Sequence, residues 1–270
     1  MARAFRRLTA GALLVVLLVA GLGQASAAER LERFGVVLIH GKGGQPGGPI
    51  ASLASGLEGA GARVIMPKMA RSGSKGIPDA YDTPYEQALD EITRAIERLK
   101  ALGSSRIVVA GQSLGGNAAM AYAARHGADL AAVIAIAPGH TPDRVGRREI
   151  GVARVKAAEL VAAGKGDVRG TYPDFNHGDV FEVSGRADAY LSFFDPSGPA
   201  VMPASAAAMP AVPFLWVIGR KDPLHPAGPA YAYDKAPFHA LSRFVELDAG
   251  HIDAPSVGRR DIVKWLQSLP

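Results

Sequence analysis

A serine flanked by two glycines, Gly111-Gln112-Ser113-Leu114-Gly115, follows the β-branched run Ile107-Val108-Val109 and precedes an alanine-rich stretch. Its spacing is G-x-S-x-G. A strand that turns at once into a helix strains its central residue, and side chains two positions to either side would collide; glycine answers both demands. Ser113 would then stand at the carboxyl end of a strand and at a helix N-terminus, where free N–H groups and the helix dipole favour negative charge. In a chain with 32 glycines the spacing alone says little. The strand before it and the helix after it give it weight. A serine hydroxyl is inert at its own pKa, so it needs a base, and the base needs an orienting acid. Among seven histidines, His251 follows the last strand-like run in Ala249-Gly250-His251. Asp222, in Gly219-Arg220-Lys221-Asp222-Pro223, follows the run before that. Serine, acid, histidine is the chain order that goes with such a turn. The chemistry these residues could do is acyl transfer, which also needs paired N–H donors for a growing negative charge. His40-Gly41-Lys42-Gly43-Gly44 supplies a glycine-rich loop after the first strand.

The elements that must position these groups alternate. Short apolar, β-branched runs predict strands at 35–39, 63–66, 107–110, 132–137, 212–218 and 243–247. Between them helical spacing appears at 49–60, 84–102, 114–125 and 257–266. Thr83-Pro84-Tyr85-Glu86 reads as a capping box with proline at the first helical position. Alternation of this kind predicts a parallel sheet covered by helices on both faces. Ligands bind such a sheet beyond the carboxyl ends of its strands, where strand order reverses. If the first strand lies between the second and third, the reversal brings His40-Gly41-Lys42 beside Gly111-Gln112-Ser113. The stretch 139–211 breaks the rhythm. It holds a helix at 152–163, another at 187–194, and between them an irregular segment with Tyr172, Phe175, His177 and Phe181. An insertion at this sheet edge reads as a small cap. Its aromatics, Tyr172, Phe175, Phe181, Tyr190, Phe193 and Phe194, predict a partly apolar pocket, and Lys42 is expected to be solvated.

The amino terminus carries a different signal. Arg3, Arg6 and Arg7 precede an apolar run over 10–22, and Ala25-Ser26-Ala27 has the small-x-small form of a cleavage site. Residues 1–27 therefore read as a secretory signal peptide, its apolar run too short for a comfortable membrane span, with the mature chain starting near Ala28. Together with the alanine- and arginine-rich composition this predicts a periplasmic or secreted bacterial protein. The formal charge of +5 falls to +2 once the three signal arginines are set aside, and no lysine–arginine cluster remains to suggest nucleic acid. There is no cysteine, which excludes disulfides and thiolate metal sites. Asp222 and His225 lack further ligands at metal-binding spacing. Asp248 and Asp253 lie near His251 in sequence, but nearness in sequence does not put a carboxylate on its ring. His40 and His140 read as structural. A dinucleotide site is disfavoured because Pro46 stands where the last glycine of G-x-G-x-x-G would fall.

Over 28–270 the chain resembles the α/β-hydrolase superfamily. The resemblance rests on His40-Gly41, Gly111-Gln112-Ser113-Leu114-Gly115, Gly219 to Asp222, and Gly250-His251. It implies a mostly parallel sheet of about six strands with helices on both faces and a small cap at 139–211. It implies Ser113 as nucleophile, Asp222 as acid and His251 as base, with the backbone N–H groups of Lys42 and Leu114 as oxyanion hole. No cofactor, metal or nucleic acid goes with that reading. The superfamily usually opens with an antiparallel hairpin, for which few residues remain here, so a trimmed core is expected. A serine at the elbow sets the chain apart from the dehalogenases, which place aspartate there. The implied activity is that of a carboxylesterase or lipase-like enzyme on a small ester with an apolar part. The alternatives are an acyltransferase and a non-catalytic binding protein on the same fold.

Overall fold

The computed structural model describes residues 31–270. The signal-peptide expectation falls outside the described residues. Β-branched and apolar runs form the central strands: β1 (Phe34–Ile39), β2 (Arg63–Ile65), β5 (Arg106–Gln112), β6 (Leu130–Ile136), β9 (Phe214–Gly219) and β10 (Arg243–Leu247). Two short strands, β3 (Gly73–Ser74) and β4 (Ile77–Pro78), form a hairpin between β2 and the next helix. The central sheet has the order β10-β9-β6-β5-β1-β2, and every pairing in it is parallel. β1 thus lies between β2 and β5, and strand order reverses between β1 and β5, as the sequence suggested. No antiparallel strand joins this sheet among the described residues.

Both faces are covered, because strands buried on both sides leave no polar alternation. On one face α1 (Ala51–Gly59) and α9 (Arg259–Gln267) pack Leu53, Leu57, Ile262 and Leu266 against Val36, Leu38 and Val108. The short α8 (Ala254–Val257) leads into α9. On the other face α3 (Asp90–Ala101) and α4 (Leu114–His126) pack against Val37, Ile39 and Val109. Ile92, Ile96 and Leu99 line the buried side of α3, and Ala88 the buried side of α2 (Tyr85–Ala88) just before it. Each of the buried isoleucine and leucine side chains contributes about 1.5–3 kcal/mol. Ten residues of α4 are buried, six of them glycine or alanine, which let the helix lie close to the sheet.

The sequence's capping box at Thr83 does not form. Pro84 is the cap residue of α2 and no side chain of its own segment caps the helix. Instead the Tyr85 N–H donates to Ser192 Oγ at 2.8 Å, so the cap is tertiary. Ser192 belongs to α6 (Ala187–Phe194) in the insertion, which also holds α5 (Arg148–Ala162) and α7 (Met202–Ala208). The segment expected to be irregular is a hairpin, β7 (Arg169–Asn176) and β8 (Asp179–Arg186), in antiparallel register from Arg169↔Arg186 to Asn176↔Asp179. Pro173 and the inward Asp174 interrupt the apolar alternation that would have announced it. The insertion is not a separate layer. Tyr81 bridges to Gly185, and Tyr190, Phe193 and Phe194 pack around Tyr81 within the same core as α3 and α4.

Candidate active site

Ser113 sits between β5 and α4 with φ 57° and ψ −125°, a strained backbone for a residue with a side chain. The flanking glycines are sterically required. A Cβ on Gly111 would stand 2.3 Å from the Gly115 backbone, and one on Gly115 would stand 2.3 Å from the Ile39 carbonyl oxygen. The helix therefore presses against the end of β1, and Ser113 projects at the sheet's carboxyl edge.

Three residues far apart in sequence meet there. Ser113 Oγ lies 2.9 Å from His251 Nε2, and His251 Nδ1 lies 2.7 Å from Asp222 Oδ2. With the proton on Nδ1 donated to the carboxylate, Nε2 accepts from the serine hydroxyl. Asp222 is buried, and its other oxygen accepts from the Leu224 N–H at 2.7 Å, which fixes the carboxylate's plane. The loop carrying His251 is held from two sides: Gln112 Nε2 donates to the His251 carbonyl at 3.2 Å, and the Gly250 N–H donates to Asp253 Oδ1 at 2.7 Å. Asp253 thus orders the loop, while Asp248 pairs with Lys221 at 2.8 Å. Neither engages the imidazole. The His225 side chain pairs with Glu246, and His225 reaches Asp222 through its backbone N–H, which donates to the Asp222 carbonyl at 3.0 Å.

The loop after β1 comes against Ser113: a Cβ on Gly41 would stand 3.0 Å from the Ser113 Cβ. Among the described residues no hydrogen bond to another part of the chain engages the N–H of Lys42 or Leu114. His40, behind the loop, has Nδ1 2.7 Å from the Gly41 carbonyl and Nε2 2.9 Å from Ser72 Oγ. Burial, reinforced by the Arg71 cation, pushes its pKa down to about 4, so it is neutral at pH 7. His140 donates from Nε2 to the Phe193 carbonyl at 2.7 Å and is likewise held well below the ordinary range by burial. Both histidines shape loops, in line with their reading as structural.

The Lys42 side chain corrects the sequence reading. It is not solvated. Its Nζ donates to Asp174 Oδ1 at 2.6 Å, with the two side chains only 4% and 0% exposed, and to the Phe175 carbonyl at 3.2 Å. Tyr81 OH donates to the other Asp174 oxygen at 2.8 Å. A buried ion pair therefore ties the glycine-rich loop to β7. Asp174 gave no signal in the sequence, since a lone aspartate in a strand has many uses.

The expected lining of the pocket is corrected too, although the surface that the cleft exposes is mostly apolar. A cleft of about 450 Å3 opens over Ser113 and His251, and none of the six aromatics expected to line it does so. Tyr172, Tyr190, Phe193 and Phe194 are spent in the core, where burial of their rings is worth more. The cleft's walls are the glycine-rich loop, the tips of the two hairpins, and Ile50 and Ile252. Gly139, which the sequence did not single out, packs against the reacting pair: a Cβ there would stand 3.0 Å from Ser113 Oγ and 3.3 Å from His251 Cε1. Among the described residues no group of three or more His, Cys, Asp or Glu is placed to hold a metal ion.

A family described as alpha/beta hydrolase fold matches residues 36–157. Among solved structures, the monoacylglycerol lipase of Paleococcus ferrophilus is 23% identical with a TM-score of 0.63, over 89% of this chain and 96% of its own. A metagenome-derived lipolytic enzyme, from work on LipS and LipT, is 18% identical with a TM-score of 0.62, over 86% and 91%. A thermophilic esterase from Thermogutta terrifontis is 19% identical with a TM-score of 0.57, over 87% and 90%. No curated protein matches the sequence. At these identities the likeness is one of fold.

Proposed function

The chain has the α/β-hydrolase fold, and from that premise we propose that it is an exported serine hydrolase that cleaves esters through an acyl-enzyme. The observation that carries the proposal is the unbroken line Ser113 Oγ, His251 Nε2, His251 Nδ1, Asp222 Oδ2, with spacings of 2.9 and 2.7 Å. The lipases and esterases of similar fold support it.

In this reading Ser113 Oγ attacks the ester carbonyl carbon while His251 Nε2 takes the hydroxyl proton. The carbonyl oxygen becomes an oxyanion facing the N–H groups of Lys42 and Leu114, with the dipole of α4 behind the latter. Asp222 holds the ring's orientation and favours its charged form. As the tetrahedral intermediate collapses, the ester C–O bond breaks and His251 passes its proton to the departing alkoxide. Water then repeats the sequence on the acyl-enzyme, yielding the carboxylic acid and free Ser113. Each donor to the oxyanion is worth roughly 10²–10³ in rate at sites of this type.

Fluorophosphonate labelling of the protein from its native host tests the proposal. The expected result is one phosphonyl adduct per chain, lost in Ser113→Ala, on a chain whose intact mass begins near Ala28. A folded wild type that does not label would refute the activated serine and leave a binding protein on a hydrolase fold. Labelling together with acyl transfer seen only in the presence of an added acceptor, as an ester with an alcohol or an amide with an amine, would identify an acyltransferase.

A further inference from the structure

Two hairpin tips meet over the cleft, both turning through left-handed backbone, and one of them gives its first turn position to lysine, a residue that turn chemistry disfavours. β3–β4 turns at Lys75-Gly76, with φ of 52° and 81°. β7–β8 turns at His177-Gly178, with φ of 51° and 96°. Two-residue turns of this hand favour Asn, Asp or Gly at the first position, because longer side chains fit left-handed backbone poorly. Backbone strain of this kind collects where a binding site over-determines it. The tips are joined to each other and to the chemistry. Asn176 Nδ2 donates to the Gly76 carbonyl at 2.9 Å, and the His177 ring stands edge-on to His251 with centroids 5.9 Å apart.

The charge around this rim is one-sided. Lys75, Asn176, His177 and Gln45 border the cleft, and no Asp or Glu does. Lys42 is committed to Asp174, whereas Lys75 makes no hydrogen bond or ion pair among the described residues. The nearest acid on these tips is Asp179, at the start of β8 and outside the cleft lining. Burial, with His251 and Lys42 acting the same way and Asp179 against them, holds His177 below the ordinary histidine range. At neutral pH Lys75 therefore carries the rim's charge, and His177 and Asn176 offer hydrogen bonds. Most of the surface the cleft exposes is apolar, but large apolar side chains in it are few, chiefly Pro49, Ile50 and Ile252.

We propose that Lys75, with Asn176 and His177, binds a carboxylate on the substrate, so that the site takes esters bearing a free acid group rather than long neutral acyl chains. This rests on the reading of the site as an ester hydrolase and names its substrate class. The reaction is unchanged: water is consumed, the ester C–O bond breaks, and the second carboxylate is a spectator.

Two matched pairs of chromogenic esters test it. One carries the charge on the acyl side, p-nitrophenyl hemiglutarate against p-nitrophenyl glutaramate. The other carries it on the alcohol side, 4-acetoxybenzoate against 4-acetoxybenzamide. The expected result is a kcat/KM ratio favouring the anion about tenfold in one pair, shrinking severalfold in 1 M salt as screening requires. Lys75→Gln should bring that ratio to about one, and Lys75→Arg should retain it. A wild-type ratio near one in both pairs, or a preference that survives Lys75→Gln, overturns the proposal while Ser113-dependent hydrolysis of the neutral esters keeps the hydrolase reading. No Ser113-dependent hydrolysis of any of the four overturns both.

Discussion

Replacing Asp174 by asparagine removes one charge from a pair that is shut off from water on both sides. Asp174 accepts from Lys42 Nζ at 2.6 Å, from its neighbour Phe175 N–H at 2.7 Å and from Tyr81 OH at 2.8 Å. Asparagine keeps an acceptor for the neutral donors but leaves the Lys42 ammonium, 4% exposed, without its counter-charge. Breaking a buried pair in this way costs about 3–5 kcal/mol, mostly the desolvation of the stranded charge. For a chain of this size that corresponds to a melting point lower by ~10 °C, at roughly 2–4 °C per kcal/mol. Circular dichroism melts of wild type, Asp174→Asn, Lys42→Met and the double variant form a cycle. The double variant should recover at least half of the Asp174→Asn loss, because no buried charge is then left unpaired. A single variant within about 1 kcal/mol of wild type, or a double variant that costs the sum of the singles, would refute a buried, coupled pair.

Two further outcomes follow from the geometry. Gly139→Ala places a methyl 3.0 Å from Ser113 Oγ and 3.3 Å from His251 Cε1. Its kcat/KM should fall roughly 10²-fold, the penalty of a displaced reacting group, while its melting point stays near wild type; undiminished turnover would show that the pair is not confined as described. On acidification the fold should weaken before its carboxylates matter. His40 is neutral in the folded chain down to about pH 4, whereas the unfolded chain binds the proton near 6.5, so stability is lost as pH falls between those values. The loss from His40 is about 2 kcal/mol between pH 7 and 5, and His140 acts in the same direction. Urea titrations that give equal stability at pH 7 and 5 would contradict it.

The six parallel strands, the helices that cover them and the three residues Ser113, Asp222 and His251 are legible in the sequence because local signals specify them. Fully buried strands need continuous β-branched runs, an elbow needs glycines at two fixed places, and of the three histidines that follow Asp222 only His251 comes after the last strand. What the sequence leaves open depends on partners distant in the chain. Thr83 has every local feature of a cap, yet Ser192, more than a hundred residues on, supplies the hydrogen bond to Tyr85. The six cap aromatics look like a pocket lining until the core claims four of them. β7 and β8 escape a search for alternation because Pro173 and Asp174 occupy it, and Asp174 is there to meet Lys42. Local pattern fixes which residues are apolar and where the chain must turn; which buried charge finds its counter-charge, and which side chains are left to line the cleft, is decided only when segments far apart compete for the same interior space.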